Sequence, residues 1–195
     1  MKIGLLGGSF DPVHRAHIAL AQQAIDDLGL DKVELIPAAN PWQRAPLKGR
    51  PQDRLAMLQL AIEDCPKLSI NTIELERSGP TYTLDTLTQL PKGVTYYWLL
   101  GSDQLQNFHT WHRWQDIVHL VTLAVAQRPG APLCPPEELA AYLHQHGLKI
   151  ETINFEPRDI SATEIRRRLK QHLCTDGLLD PKVEQYIKEH QLYLK

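Results

Sequence analysis

Strands that alternate with helices predict an open, mostly parallel α/β sheet with helices on both faces. Three observations carry this reading. Short apolar runs of strand length recur at 3–6, 33–36, 94–100 and 121–126. Between them lie stretches whose apolar residues repeat at helical spacing. Glycine-containing breaks stand at the carboxyl ends of three of the runs: Gly7-Gly8, Gly101-Ser102-Asp103 and Arg128-Pro129-Gly130. A length of 195 residues suits one domain over 1–195, its part from about 160 to 195 helical, and 43% hydrophobic with 23% charged residues excludes a disordered or fibrous chain.

Each element has its own signal. Ile3 to Leu6 is a buried strand that ends in a tight turn. Ile18, Ala21, Ile25 and Leu28 then mark a helix that Gly29 stops. Val33 to Ile36 closes a strand-helix-strand unit of right-handed crossover length. Residues 37–51 hold four prolines and read as a long binding loop or lid. Leu55, Leu58 and Ile62 give one face of a helix over 53–64, and the alternation over 69–75 predicts a strand. A short helix over 83–90 and strands over 94–100 and 121–126 follow. Helices over 137–146 and 161–173 flank a strand at 150–153, and 181–190 forms the last helix.

Lys plus Arg at 21 against Asp plus Glu at 23 gives a net charge of −2, so no global field recruits nucleic acid or anionic lipid. An anionic ligand must be met by local placement. No run approaches the roughly 18 apolar residues of a membrane span, and Met1-Lys2-Ile3-Gly4 lacks the pattern of a secretion signal, so a cytoplasmic protein is expected. Cys65, Cys134 and Cys174 show no metal-ligand spacing and are expected as reduced thiols. A homo-oligomer is left open.

The densest chemistry lies in Gly7-Gly8-Ser9-Phe10-Asp11-Pro12-Val13-His14-Arg15-Ala16-His17, between the first strand and the first helix. The glycines let backbone approach a ligand, and a helix start adds free amides and a positive dipole end. His14 and His17, three apart, project to one face and suit a polyphosphate. The plainer reading makes Asp11 and Pro12 a cap and a turn and leaves the histidines as surface residues. Neither a Walker sequence nor Gly-x-Gly-x-x-Gly is present. Far downstream, Ile160-Ser161-Ala162-Thr163-Glu164-Ile165-Arg166 reads as a capping box, Ser161 with Glu164, opening a helix whose Ile165, Leu169 and Leu173 form an apolar face. That helix start also offers Ser161, Thr163, amides and the fixed cation Arg166 to phosphate, while Arg167 and Arg168 read as solvated charges.

These two segments, in this order, resemble the signatures of the nucleotidylyltransferase superfamily, with Ala16 where the usual residue between the histidines is glycine. Further segments are similar to the bacterial nicotinate-nucleotide adenylyltransferase family: Ile36 to Pro41, Arg77 to Leu87, Gly101-Ser102-Asp103, Trp111-His112-Arg113-Trp114 and Arg128-Pro129-Gly130. The resemblance runs essentially from Met1 to the final helix and implies a Rossmann-like sheet of the nucleotidylyltransferase form. It also implies transfer of the adenylyl group of ATP to nicotinate mononucleotide by direct in-line attack, giving deamido-NAD and pyrophosphate. No nucleophilic serine or cysteine is needed for that chemistry.

By position, the resemblance assigns His17 to the α-phosphate, and His14, Arg166, Ser161 and Thr163 to the β- and γ-phosphates. Gly8, Ser9 and Phe10 supply the backbone there, and Gly101 with Asp103 holds the adenosine ribose. Asn40 and Lys48 are candidates for the mononucleotide phosphate, Trp111 stacks on the pyridine, and amides near Tyr82, Thr83 and His112 receive its carboxylate. Asp103 as a helix cap, Trp111 as core and Lys48 as a solvated loop residue are the plainer readings. Mg2+ is implied as a companion of ATP, held mainly by phosphates and water, with no metal ligand from the chain. Rival functions are the same fold acting on nicotinamide mononucleotide or phosphopantetheine, and a non-catalytic nucleotide-binding regulator.

Overall fold

The computed structural model describes residues 1–39, 46–77, 79–156 and 159–194. Strand β1 (Lys2–Gly8) leads through the Gly-Ser-Phe loop to α1 (Arg15–Leu28), then β2 (Lys32–Pro37) and α2 (Pro51–Ile62). Next come β3 (Leu68–Ile70), α3 (Thr83–Thr88), β4 (Thr95–Gly101) and α4 (Ser102–Gln106). A 3-10 turn at Phe108–Thr110 precedes α5 (Trp114–Leu120), β5 (Thr122–Gln127) and α6 (Glu137–Gln145). Strand β6 (Ile150–Asn154), α7 (Ala162–Lys170) and α8 (Pro181–Glu189) complete the order.

All six strands pair in parallel, in the order β3-β2-β1-β4-β5-β6. The chain winds outward from β1 in one direction and then returns to β1's other side through β4. The carboxyl ends of β1 and β4 are therefore the switch point, where such sheets open a ligand crevice.

The period of two along each strand sorts side chains between two cores. Leu6, Val33, Leu35, Leu99 and Ala124 face one layer, with Ala21 and Ile25 of α1, Met57 and Leu58 of α2, Ile165 and Leu169 of α7, and Val183 and Ile187 of α8. Ile3, Leu5, Ile36, Trp98, Leu100, Leu123 and Val125 face the other, which holds Leu84 of α3, Leu105 of α4, Ile117 of α5 and Leu139 of α6. The expected open parallel sheet with helices on both faces is thus what the chain builds, and no helix among the described residues is long and apolar enough to cross a membrane.

Several expectations are corrected. The strand expected over 69–75 stops at Ile70, because the Asn71 side chain accepts the Ile73 amide (3.1 Å) and starts a turn of its own. That turn carries Glu74 inward instead of leaving alternate residues on a sheet face. In α2 the buried face is Asp53, Arg54, Met57 and Leu58; Leu55 and Ile62 are only half-buried. Helix α7 ends at Lys170, with His172 at φ 53° and Leu173 exposed, so Leu173 leaves the apolar face. Helix α4, five residues, includes Asp103 and is capped by Gly101 instead of Asp103, and the seven-residue α5 carries no expectation from the sequence. The long-loop expectation over 37–51 falls partly outside the described residues.

Candidate active site

The Gly-Ser-Phe loop crosses the carboxyl end of β1, and its backbone is fixed from beneath. Arg54, fully buried, donates from Nη1 to the Ser9 carbonyl at 2.7 Å, while its Nε and Nη2 have no hydrogen-bond partner among the described residues. Burial pushes the Arg54 guanidinium down from its ordinary range. Phe10 sits at φ 47°, a conformation non-glycine residues rarely adopt, and its buried ring folds under Gly8: a Cβ there would come within 3.0 Å of it.

His14 and His17 come together as expected, but His14 is the residue before the helix rather than part of its first turn. Their rings stack with centroids 3.7 Å apart, the His14 amide donates to His17 Nδ1 (3.2 Å), and the Phe10 ring meets His17 edge-on at 5.0 Å. His14 is 8% exposed, and desolvation lowers its pKa from 6.5 to about 4. The plainer reading of both histidines as surface residues therefore fails for His14. In the free protein at neutral pH burial leaves His14 a neutral imidazole, its Nδ1 without a hydrogen-bond partner among the described residues. Ala16 lies in the first turn of α1 on ordinary helical backbone, which accommodates its methyl.

The second segment arrives from the far end of the chain. Arg166 Nη1 donates to the Asp11 carbonyl (2.7 Å), and its Nη2 reaches Thr163 Oγ1 (3.2 Å). Ser161 caps α7 by accepting the Glu164 amide (3.2 Å), but the expected return bond of the capping box is replaced. The Glu164 carboxylate instead holds Arg167 (2.7 Å) and Arg168 (2.8 Å), and their hydrogen bonds bring its pKa down to about 2. These two arginines are thus paired at the surface, and Arg166 alone of the three turns toward β1.

Gly101 and Asp103 stand on the same sheet edge, at the end of β4. The Asp103 carboxylate lies over Gly101, where a Cβ would come within 2.7 Å of its Oδ1, so a side chain at 101 would displace that carboxylate. Ser102 anchors the turn by donating to the Ala126 carbonyl of β5 (2.9 Å).

The expected pyridine segment gathers on the other side of the β1–β4 junction. Tyr82 precedes α3, of which Thr83 is the first residue, and the Tyr82 ring lies 4.6 Å from His112. Trp111, half-buried, packs on Phe108 (5.0 Å) and edge-on against Trp98 (6.3 Å), and Trp98 lies against Gly7 of β1. Trp111 thus has core contacts on one side. Lys48 takes part through its backbone, and its exposed side chain borders a cleft of about 670 Å³ shared with Arg166 and Tyr193. Asn40 lies outside the described residues.

Three buried charged side chains have partners that the sequence pattern does not reveal. Asp11 is neither cap nor simple turn: its carboxylate takes the Lys48 amide (2.7 Å), the Gly49 amide (2.8 Å) and the Tyr193 hydroxyl (2.7 Å). Arg54 could have been suspected only as a lone cation next to the apolar face of its helix. Glu74 is buried beside Arg77, accepts from Thr86 Oγ1 (2.7 Å), and is raised by desolvation to about 6. The cysteines are free, with Cys134 and Cys174 exposed. Among the described residues, no group of three or more His, Cys, Asp or Glu is placed to hold a metal ion.

Known proteins resemble this chain in sequence and in fold. A cytidylyltransferase-like family model matches residues 5–168. The chain is 58% identical to a protein of Bordetella pertussis named "Probable nicotinate-nucleotide adenylyltransferase", covering 98% of both chains. It is 39% identical to one of the same name in Neisseria meningitidis, over 100% of this chain and 99% of that one. The fold matches that of a Plasmodium falciparum nicotinic acid mononucleotide adenylyltransferase complexed with NaAD, with a TM-score of 0.76 at 23% identity over 98% and 97% of the two chains.

Proposed function

We propose the following reaction for this chain, which belongs to the cytidylyltransferase-like family and, within it, to the nicotinate-nucleotide adenylyltransferases: it joins nicotinate mononucleotide to ATP, releasing pyrophosphate and forming the deamido dinucleotide of NAD biosynthesis. The observation that carries this reading is the meeting of the two separated motifs, with Arg166 bonded to Asp11 beside the stacked His14 and His17 at the end of β1. The mononucleotide phosphate attacks the α-phosphorus in line, and the bond to the bridging oxygen of pyrophosphate breaks. Such a transfer depends on positioning and charge stabilisation, with no covalent intermediate on the protein.

In this reading His17 donates to the α-phosphate as charge develops on it. Arg166, Ser161 and Thr163 take the outer phosphates, with His14 acting as a hydrogen-bonding imidazole because its burial disfavours the cation. The amides of Ser9 and Phe10 and the close backbone at Gly8 line the same phosphates, and Asp103 beside Gly101 receives the ribose hydroxyls. Trp111 stacks on the pyridine, the Tyr82–Thr83 and His112 segments receive its carboxylate, and Lys48 and Asn40 serve the mononucleotide phosphate. We read residues 1–195 as one domain in which α7 completes the phosphate site.

The side chains around His14 and Arg166 are imidazole, guanidinium and hydroxyl, and the Asp11 carboxylate already accepts three donors. This donor set suits Mg2+ that arrives with ATP and is held by phosphates and water. When bound, the ion neutralises charge on the triphosphate and the departing pyrophosphate.

A pyrophosphate-release assay tests the assignment. The expected result is a much higher kcat/KM with nicotinate mononucleotide than with nicotinamide mononucleotide. Equal or reversed preference overturns it.

A further inference from the structure

Tyr193 lies 182 residues from Asp11 in the chain, yet its hydroxyl donates to Asp11 Oδ1 at 2.7 Å. The same oxygen takes the Gly49 amide, and the second carboxylate oxygen takes the Lys48 amide. At 2% exposure, the Asp11 oxygens depend on such donors for their hydrogen bonds. Packing at this junction leaves no slack: a Cβ on Gly49 would stand 2.7 Å from the Tyr193 hydroxyl and 2.8 Å from Asp11 Oδ1. Burial and the neighbouring Asp11 push the Tyr193 phenol upward, so it remains a proton donor at neutral pH.

The tail that brings Tyr193 here is bent at a cost. Gln191 and Tyr193 both sit in the left-handed region, at φ 51° and 63°, conformations that a non-glycine residue keeps only when tertiary contacts impose them. Leu192 between them packs against the core and helps to supply those contacts. Asp11 divides its atoms between two tasks. Its carbonyl holds Arg166, while its carboxylate holds the backbone of residues 48 and 49.

We propose that Tyr193 is a positioning residue for the mononucleotide half of the reaction: through the Asp11 carboxylate it fixes the Lys48-Gly49 backbone and thereby the placement of the Lys48 side chain at the cleft it shares with Arg166. The inference rests on the adenylyl-transfer reading above, with Lys48 serving the mononucleotide phosphate. The ATP half is reached through the Asp11 carbonyl, a different atom, so loss of the Tyr193 hydroxyl affects the two substrates unequally.

The test uses the full chain and Tyr193→Phe, which keeps the ring and removes one donor. Hydrogen exchange at the Lys48 and Gly49 amides is expected to speed up about ten-fold or more, with exchange in β1 and β4 unchanged. The KM for nicotinate mononucleotide is expected to rise about five-fold, the size of one hydrogen bond, with kcat and the KM for ATP within about two-fold of the parent. In a Lys48→Ala background the same substitution is expected to add nothing to that KM. Unchanged exchange at the two amides, an equal rise in both KM values, or a lower melting temperature as the sole effect overturns the proposal. The exchange readout needs no turnover, so an inactive parent protein counts against the reaction while exchange still decides whether Tyr193 holds the loop.

Discussion

The two sides of the crevice are built on different physics. Around Asp11 the chain assembles buried polar groups from distant segments: Arg54 under Ser9, Arg166 on the Asp11 carbonyl from 155 residues away, and Tyr193 on its carboxylate from 182 residues away. Around Trp111 the contacts are aromatic and mostly local, with Trp98, Phe108 and Trp111 in succession and Tyr82 against His112. An anion is met by fixed donors whose own burial must be compensated, which demands long-range partners. A flat ring needs only a slot of rings, which one stretch of chain can supply. The two sides also carry opposite buried titrations, His14 lowered to about 4 and Glu74 raised to about 6.

The contrast can be broken at four points. The largest effect is expected at His17, where replacement by Ala lowers kcat on the order of 10² to 10³-fold with the far-UV dichroism unchanged. A variant with full activity removes His17 from the phosphate side. Next is Asp11→Ala, which strands two amides and a phenol beneath the loop; urea unfolding is expected to show a loss of about 3 kcal/mol. A loss no larger than that of a surface substitution means the polar side does not depend on its buried network.

Glu74 sharpens the comparison through pH. Its folded pKa of about 6 lies above its ordinary 4.5, so its favourable contribution is complete below about pH 4.5 and lost as pH rises through 6. Glu74→Gln is therefore expected to gain about 2 kcal/mol on the parent between pH 4.5 and 7. His14 runs the other way, its contribution present above pH 6.5 and lost as pH falls toward 4. A parallel pH dependence in parent and Glu74→Gln refutes the buried carboxyl. The smallest effect belongs to Trp111→Ala, expected to raise the KM for nicotinate mononucleotide about ten-fold, or about 1.4 kcal/mol, without changing that for ATP. Equal changes in both make Trp111 a core residue.

Most of the fold was legible because hydrophobic periodicity is local. Leu6, Leu35 and Leu99 announce their strands by neighbours one and two residues away, and Ala21 and Ile25 announce α1 by neighbours three and four residues away. Where side-chain hydrogen bonding competes with the pattern, the reading failed, as at Asn71, which ends β3 by capturing the Ile73 amide. The motif residues His14, His17 and Arg166 were equally visible, since their spacing and order lie in the chain itself.

The sequence by itself determined the strand-helix alternation, the glycine breaks at the strand ends and the two histidine- and arginine-bearing motifs, all set by neighbours along the chain. Only the tertiary structure decided that Asp11 is a junction, that His14 is buried and neutral, and that Arg54 and Tyr193 bond to Ser9 and Asp11. Burial and long-range hydrogen bonding fix those properties, and neither is encoded at any single position.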